Sequence, residues 1–446
     1  MTIDLTRGRV IVTYGRSLMA LTIAQSLGSR GVEVIGGDDV GLTVLAFSRY
    51  AKSNFVHAPA STNPDRFIDD LEKAIIQHKP HDDRPYVLIP CFQETRLIAR
   101  HAERLGRHIT VAAPALEAID AVDPKDFLMR TARGLSVKVP AACTDTEWRA
   151  GDPTRPTTFP VMIKPPRGVG GRGVRRIDDE AALEAAIDTA QGAGESLIIQ
   201  DFISGEDFCL TALFDRGTLK ASAAYRNLSQ FPRGAGAGVL RETVSELPFI
   251  PAVEALFGPL GWTGVAEIDF RWDGRGEPCL IEVNPRFWAG LFHSVETGVD
   301  FPWMLYELAA TGQVTNTAAP RIGERTKVAG LYLLSAIQDV ADSETAFSAA
   351  KTAWAAASHQ FQSGRLLEAV GDLARAVAES PGGMARAAGQ LKTALLSAKH
   401  APNELFRSDD PLVSLGALFI VASLLRYGHL PPELIYDPSA RDMMVE

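Results

Sequence analysis

The stretch GVAEIDFRWDGRGEPCLIEVNPRFWAGL puts Asp269 on one extended run and Glu282 with Asn284 on the next, joined by a DGRGEP turn. Side chains alternate along a strand, so residues 282 and 284 share a face and oppose Asp269 across a hairpin. Two carboxylates and an amide oxygen held that close repel one another unless a hard cation sits among them. Oxygen donors of this kind suit Mg²⁺ (or Mn²⁺) bridging nucleotide phosphates. Arg286, on the same face, can neutralise a phosphoryl group during transfer.

Two upstream segments extend this chemistry. In FPVMIKPPRGVGGRGVRRI an apolar strand delivers Lys164 and is followed by Gly168, Gly170, Gly171 and Gly173. Glycines remove the Cβ barrier and let backbone N–H groups converge on an anion, while the lysine adds point charge. The GxxxxGK[ST] pattern is absent, and a glycine-rich loop by itself is more often a plain turn. In SLIIQDFISGEDFCLTALF a buried strand breaks at Ser204-Gly205 and resumes. The backbone of that hinge can read an adenine edge, Phe202 and Ile203 can sandwich the ring, and Glu206 or Asp207 can accept from ribose hydroxyls. An ordinary hairpin accounts for the same segment.

Between hinge and hairpin, AYRNLSQFPRGAGAGVLRETV carries Arg226, Arg233 and Arg241. Arg226 and Arg241 are the better candidates to clamp a substrate carboxylate or an acyl phosphate through paired hydrogen bonds, against the alternative of solvated surface arginines. Trp288, Phe292 and His293 follow closely enough to line an acceptor pocket, with His293 a candidate general base, although core packing is the commoner fate of such aromatics.

These residues need elements to position them. From Arg9, RVIVTYG, SLMALTIAQSLGSRG and VEVIGGD read as strand, helix closed by Gly31, and strand. A helix at residues 64–78, the YVLIPC strand, a helix at 94–105 and HITVAAP continue the alternation, so residues 1–113 form a Rossmann-like parallel-sheet domain. Gly15 stands alone where a dinucleotide fingerprint needs GxGxxG, which disfavours NAD. DPKDFLMRTARG opens a second, α+β module over residues 114–316, with a helix at 179–191 and antiparallel strands. Residues 317–446 hold one strand-like run, KVAGLYLL, and then alanine-rich helical segments of unreadable role.

The chain has 446 residues, enough for two or three domains, and 54 acidic against 45 basic residues give a formal charge of -9 without blocks of one sign. That excludes a nucleic-acid footprint and favours small-molecule substrates. The four cysteines, Cys91, Cys143, Cys209 and Cys279, are too dispersed for a metal knuckle or disulfide framework. The N-terminus lacks the apolar segment of a signal peptide, and LVSLGALFIVASLL at 412–425 is too short to span a bilayer and reads as a buried helix. A cytoplasmic location without membrane contact is expected.

Lys125, Lys164, the RGVGGRGV loop, the QDFISGED hinge and the AEIDF…LIEVNPRFW hairpin, in this order, resemble the ATP-grasp superfamily over residues 1–316. NPRFWAGL followed by ETGVDFP is similar to carbamoyl-phosphate-synthetase-like and biotin-carboxylase-like members. The resemblance implies that Lys125 and Lys164 hold the phosphates of ATP and that Gly168–Gly173 close over them. Gln200, Asp201, Phe202 and Ile203 would form the adenine hinge, and Asp207 rather than Glu206 would take the ribose. Asp269, Glu282 and Asn284 would hold magnesium, with Arg286 beside the transferred phosphoryl group. It further implies a ligase that activates a carboxylate as an acyl phosphate and joins it to an amine, compatible with a homodimer. Glu267 departs from the pattern, because D-alanine:D-alanine ligases carry an arginine there. The competing expectations are carboxyphosphate formation and a non-catalytic ATP-binding regulatory module.

Overall fold

The computed structural model describes residues 3–166, 173–231, 237–315 and 317–328, and beyond them residues 331, 332, 335, 336, 396, 398–404, 407–418, 423 and 426. The N-terminal alternation folds into β1 (Arg9–Val12), α1 (Leu18–Gly28), β2 (Glu33–Asp38), β3 (Ala51–Val56), α2 (Pro64–Gln77), β4 (Tyr86–Ile89), α3 (Glu94–Arg100) and β5 (Thr110–Val111). The strands are parallel in the order β3-β2-β1-β4-β5. Ser17 caps α1 by accepting from Ala20 N, and Asn63 caps α2 ahead of Pro64, the start signals a helix N-terminus favours. The helix expected at 94–105 breaks at His101 and resumes as Ala102–Gly106.

Next come α4 (Lys125–Gly134), β6 (Ala142–Thr144), β7 (Val161–Lys164), β8 (Arg175–Ile177), α5 (Glu180–Gly192) and β9 (Ile198–Asp201). Their four strands form an antiparallel sheet in the order β6-β9-β7-β8. The third layer is built from β10 (Glu206–Asp215), β11 (Thr218–Phe231), β12 (Ala237–Val244), α6 (Ile250–Phe257), β13 (Gly264–Trp272), β14 (Cys279–Asn284), α7 (Leu291–Glu296), α8 (Phe301–Thr311) and β15 (Arg325–Lys327). These six strands run β14-β13-β10-β11-β12-β15. One face of this sheet packs Leu210, Ile268, Phe270, Leu280 and Val283 against α6 and α4 residues such as Phe249, Leu256 and Leu128. A second core joins the N-terminal sheet to α8 through Val10, Ile89, Trp288, Phe301 and Tyr306. The mixed architecture expected from the sequence is therefore observed.

Two expectations beyond residue 316 change. Of the run KVAGLYLL, Lys327 is the last residue of β15, and the described residues 331 and 332, like 335 and 336 just beyond, are helical. Residues 411–418 form a 3-10 helix (Pro411–Leu418) with Val413 buried and Leu412, Leu415 and Leu418 exposed, in place of a buried α-helix. The alanine-rich stretch from Glu344 to near Lys399 lies almost wholly outside the described residues. Among the described residues no helix is long and apolar enough to cross a membrane.

The described C-terminal pieces touch both halves of the molecule. Residues 398–404 lie along β15, where Asn403 pairs parallel with Lys327. Asp410 is buried against the N-terminal sheet's helices, accepting from Ser48 Oγ (2.6 Å), Arg49 N (2.9 Å) and Gln25 Nε2 (3.3 Å). Gly416 crosses so close to Val44 that an added Cβ would stand 2.6 Å from the Val44 Cα.

Candidate active site on one face of the antiparallel sheet

Register and alternation gather the hairpin's polar residues on one face. Cys209 of β10 pairs with Asp269 of β13, which pairs with Glu282 of β14; Thr211, Glu267 and Asn284 form the adjoining row. Tyr225 of β11 lies opposite Cys209, and Thr243 of β12 opposite Tyr225. Side chains two residues apart point the same way, so this polar set faces away from the Phe270 core.

Both lysines arrive at this face. Lys125, the first residue of α4, puts Nζ 3.1 Å from Glu282 Oε1. Lys164 ends β7 and is 5% exposed. Burial lowers its ammonium to about 8, with the Glu282 and Asp269 charges opposing that shift and Lys125 adding to it. Asp269 is pushed well above the carboxylate range by burial first, then by Glu267 and Glu282. Glu267 is raised by burial; it accepts from Tyr225 Oη (2.6 Å) and Asn284 Nδ2 (3.3 Å).

Carboxylates whose pKa values burial raises are a donor set that suits a divalent cation, whose charge would favour their ionised form. Ligand atoms of Cys209, Glu267 and Asp269 lie within 4.8 Å of one another. Burial holds the Cys209 thiol far above its ordinary range, and a neutral thiol is a poor ligand for a hard cation. The oxygens of Asp269, Glu267 and Glu282 fit Mg²⁺ better. Asn284 Oδ1 accepts from Arg286 Nη2 at 2.9 Å, so it serves a cation only while sharing that bond. The Arg286 guanidinium also rests 4.5 Å from the ring centre of Phe92, which follows β4.

The adenine hinge is the unpaired link from β9 to β10. Gln200 is buried, and its Oε1 has no hydrogen-bond partner among the described residues. Asp201, Phe202 and Ile203 are half-buried, and Arg176 stacks 5.0 Å from the Phe202 ring centre. Gly205 turns the chain at φ 123°, where a Cβ would meet the Trp272 backbone at 2.5 Å. Asp207 shares the face of Cys209 and Asp269 and pairs with Arg271 at 3.2 Å, whereas Glu206 points to the other face and takes Arg226. Gly173 adopts φ 71°; Gly168, Gly170 and Gly171 lie outside the described residues.

The arginine expectations divide. Arg226 pairs with Phe208 and Glu242 and lies on the opposite face from Tyr225, its guanidinium held by Glu242 (2.8 Å) and Glu206 (3.1 Å). It thus forms cross-strand ion pairs on the other face and is not a clamp over the carboxylates. Arg241 pairs with Asn227 and lies on the polar face, 3% exposed. Arg233 is outside the described residues. His293 cannot be the general base considered for it: its Nδ1 meets Thr326 Oγ1 (2.9 Å), its Nε2 meets Thr243 Oγ1 (3.0 Å), and burial lowers it to about 3. Trp288 and Phe292 are core residues.

Sequence reasoning missed the wall opposite the hairpin, formed at the carboxyl ends of β1, β2 and β4. There the buried Glu94 carboxylate accepts from Thr13 Oγ1, Phe92 N (3.1 Å) and Cys91 N (3.2 Å), and Asp38 accepts from Arg16 N (2.8 Å) and the Arg16 guanidinium. Tyr14, at φ 58°, stacks on Phe92 with ring centres 4.7 Å apart. The available signal was position, since open parallel sheets bind ligands beyond the carboxyl ends of their strands.

Lys125 from a helix and Lys164 from the four-stranded sheet meet the carboxylate hairpin of the six-stranded sheet, an arrangement of an α+β domain. Residues 123–290 match the family model described as "ATP-grasp domain", so this part of the chain carries an ATP-grasp domain. It is similar to the D-alanine–D-alanine ligase of Hydrogenovibrio crunogenus, 26% identical over 165 residues that cover 34% of this chain and 51% of that protein. In fold it is similar to an L-amino acid ligase from Bacillus licheniformis (TM-score 0.53, 16% identity, 70% of this chain and 75% of that one). The biotin carboxylase domain of the Hydrogenobacter thermophilus 2-oxoglutarate carboxylase, solved with MgADP and bicarbonate, gives a TM-score of 0.57 at 16% identity, over 71% of this chain and 73% of that one. The chain spans about half the length of the curated relatives it matches.

Proposed function

We propose that this protein is an ATP- and magnesium-dependent carboxylate–amine ligase working through an acyl phosphate, with ADP and phosphate as by-products. The observation that carries this reading is the convergence of Lys125, Lys164, Asp269 and Glu282 on one face, with Arg286 two residues beyond Asn284.

On this reading Lys125 and Lys164 bind the ATP phosphates, and Gln200 Oε1 accepts from the adenine amino group. Asp269 and Glu282, assisted by Glu267, hold the cation, which when bound neutralises the phosphate oxygens and lines up the γ-phosphate. Arg286 offsets charge on the transferred group. A substrate carboxylate oxygen attacks the γ-phosphorus and ADP leaves; the amine nitrogen then attacks the acyl carbon and phosphate leaves. The fold supplies position and charge, with Phe92 against Arg286 helping to keep water out.

The test is incubation with ATP, magnesium and the twenty L-amino acids, singly and in pairs, following phosphate and product mass. Phosphate release that needs an acid and an amine, with a product mass equal to their sum less water, is expected. ATP binding without turnover across the panel would return weight to a regulatory module, and phosphate release with bicarbonate alone to carboxyphosphate chemistry.

A further inference from the structure

Arg241 and Glu404 face each other inside the protein, 3% and 2% exposed, with Nη1 3.7 Å from Oε2. At that separation they attract without a hydrogen bond. Both Arg241 Nη1 and Glu404 Oε1 lack hydrogen-bond partners among the described residues. Two unsatisfied, oppositely charged groups this deep are costly, and the cost is relieved by a guest that bonds to both.

Their surroundings say where the guest would lie. Arg241 is on the polar face of β12, and its Nε and the Tyr225 Oη both stand over Gly290, at 3.2 Å and 2.6 Å from where a Cβ would be. Tyr225 bonds Glu267, and Glu267 bonds Asn284, so the pair adjoins the carboxylate cluster. Glu404 comes from the C-terminal segment, which Lys327 ties to β15: its N donates to Pro402 O (3.0 Å), its O accepts from Glu404 N (3.2 Å) and its Nζ donates to Ala398 O (2.6 Å).

We infer that Arg241 and Glu404 form the binding slot of the amine substrate and that this substrate is a zwitterionic amino acid, its carboxylate on Arg241 Nη1 and its ammonium on Glu404 Oε1. The inference rests on the ligase reading. The chemistry of the slot selects the class. A bare anion would meet Glu404 and a bare amine would meet Arg241, whereas a zwitterion satisfies both and adds no net charge to a site shielded from water. Glu404 therefore acts as a binding residue that orients the nitrogen, which attacks once the ammonium has given up a proton to solvent.

The experiment compares wild-type protein with Glu404→Gln, using ATP, magnesium, the L-amino acid panel as acid, and two kinds of nucleophile: hydroxylamine, which is uncharged near neutrality, and L-amino acids. The variant should release ADP with hydroxylamine as the wild type does, while its KM for the amino-acid nucleophile rises about 10- to 100-fold, the range for losing a hydrogen bond to a charged group. Glu404→Asp should recover part of that loss. Decarboxylated amines should be poor nucleophiles for the wild type. Equal loss with both nucleophiles would reduce Glu404 to a strut, and no change with either would remove it from the site; both overturn the proposal. Failure of the ligase reading shows separately, as no ADP from the wild type with any acid. The slot is then judged by calorimetric titration with L-alanine, L-glutamate and L-lysine: heat seen with wild type and lost in Glu404→Gln supports it, and no heat with wild type overturns it.

Discussion

Lys125 Nζ and Glu282 Oε1 lie 3.1 Å apart although one opens a helix and the other sits on the far strand of the antiparallel sheet. The ammonium occupies ground that a cation and phosphates would contest. On the proposed reading, binding of MgATP loosens this pair, freeing Glu282 for the metal and Lys125 for the nucleotide.

Asp269→Asn and Glu282→Gln should each lower turnover by about 100-fold or more, on the scale of removing a group that stabilises transition-state charge. Folding should survive. Asp269 is half-buried among like charges that raise its pKa, so Asp269→Asn should hold or raise the melting temperature without nucleotide. Thermal scans should show MgATP stabilising the wild type and failing to stabilise Asp269→Asn.

Lys164 should make nucleotide binding pH-dependent. Its ammonium is lowered to about 8 from 10.5, so above pH 8 the empty site holds it largely neutral. Phosphates beside it raise that value, and binding takes up a proton. Titration calorimetry at pH 8.5 in two buffers of different ionisation enthalpy should reveal the uptake, and Lys164→Met should abolish it.

Glu404 should leave a signature in stability. Burial raises its carboxyl to about 7 from 4.5, with Arg241 acting in the opposite sense. The native state thus holds this proton more tightly than the unfolded chain. The associated stability is fully present below pH 4.5 and is lost as pH rises to about 7. Denaturant titrations across that window should show a smaller decline in Glu404→Gln.

Gly290→Ala should be damaging although its φ of -88° suits alanine. The methyl group would stand 2.6 Å from Tyr225 Oη and 3.2 Å from Arg241 Nε. Overpacking of this kind costs about 1–3 kcal/mol, and displacing both groups should reduce activity beyond what that instability explains. Urea melts and initial rates on the same preparation separate the two effects.

The hairpin was legible because Asp269, Glu282 and Asn284 obey strand alternation across a short turn, a purely local rule. Lys125 and Lys164 became legible through the family pattern. Arg226 and Arg241 could not be told apart in sequence: their faces depend on the pairing of β11 with β12, which carries register shifts after Asn227 and Ser229. His293 looked like a base until Thr243 and Thr326, from two other strands, claimed both ring nitrogens. Glu404 and Glu94 acquire meaning only from tertiary neighbours, and KVAGLYLL has strand composition although its described residues after Val328 are helical.

The contact of Arg286 with Phe92 makes the hairpin and the N-terminal sheet interdependent. An arginine lying on an aromatic plate keeps its charge but loses rotational freedom, so the N-terminal sheet sets where that charge is held. Transplanting residues 123–290 onto another parallel-sheet partner would carry over all three proposed oxygen ligands and both lysines. It would nonetheless leave Arg286 without its rest, and the chimera would bind nucleotide better than it turns it over.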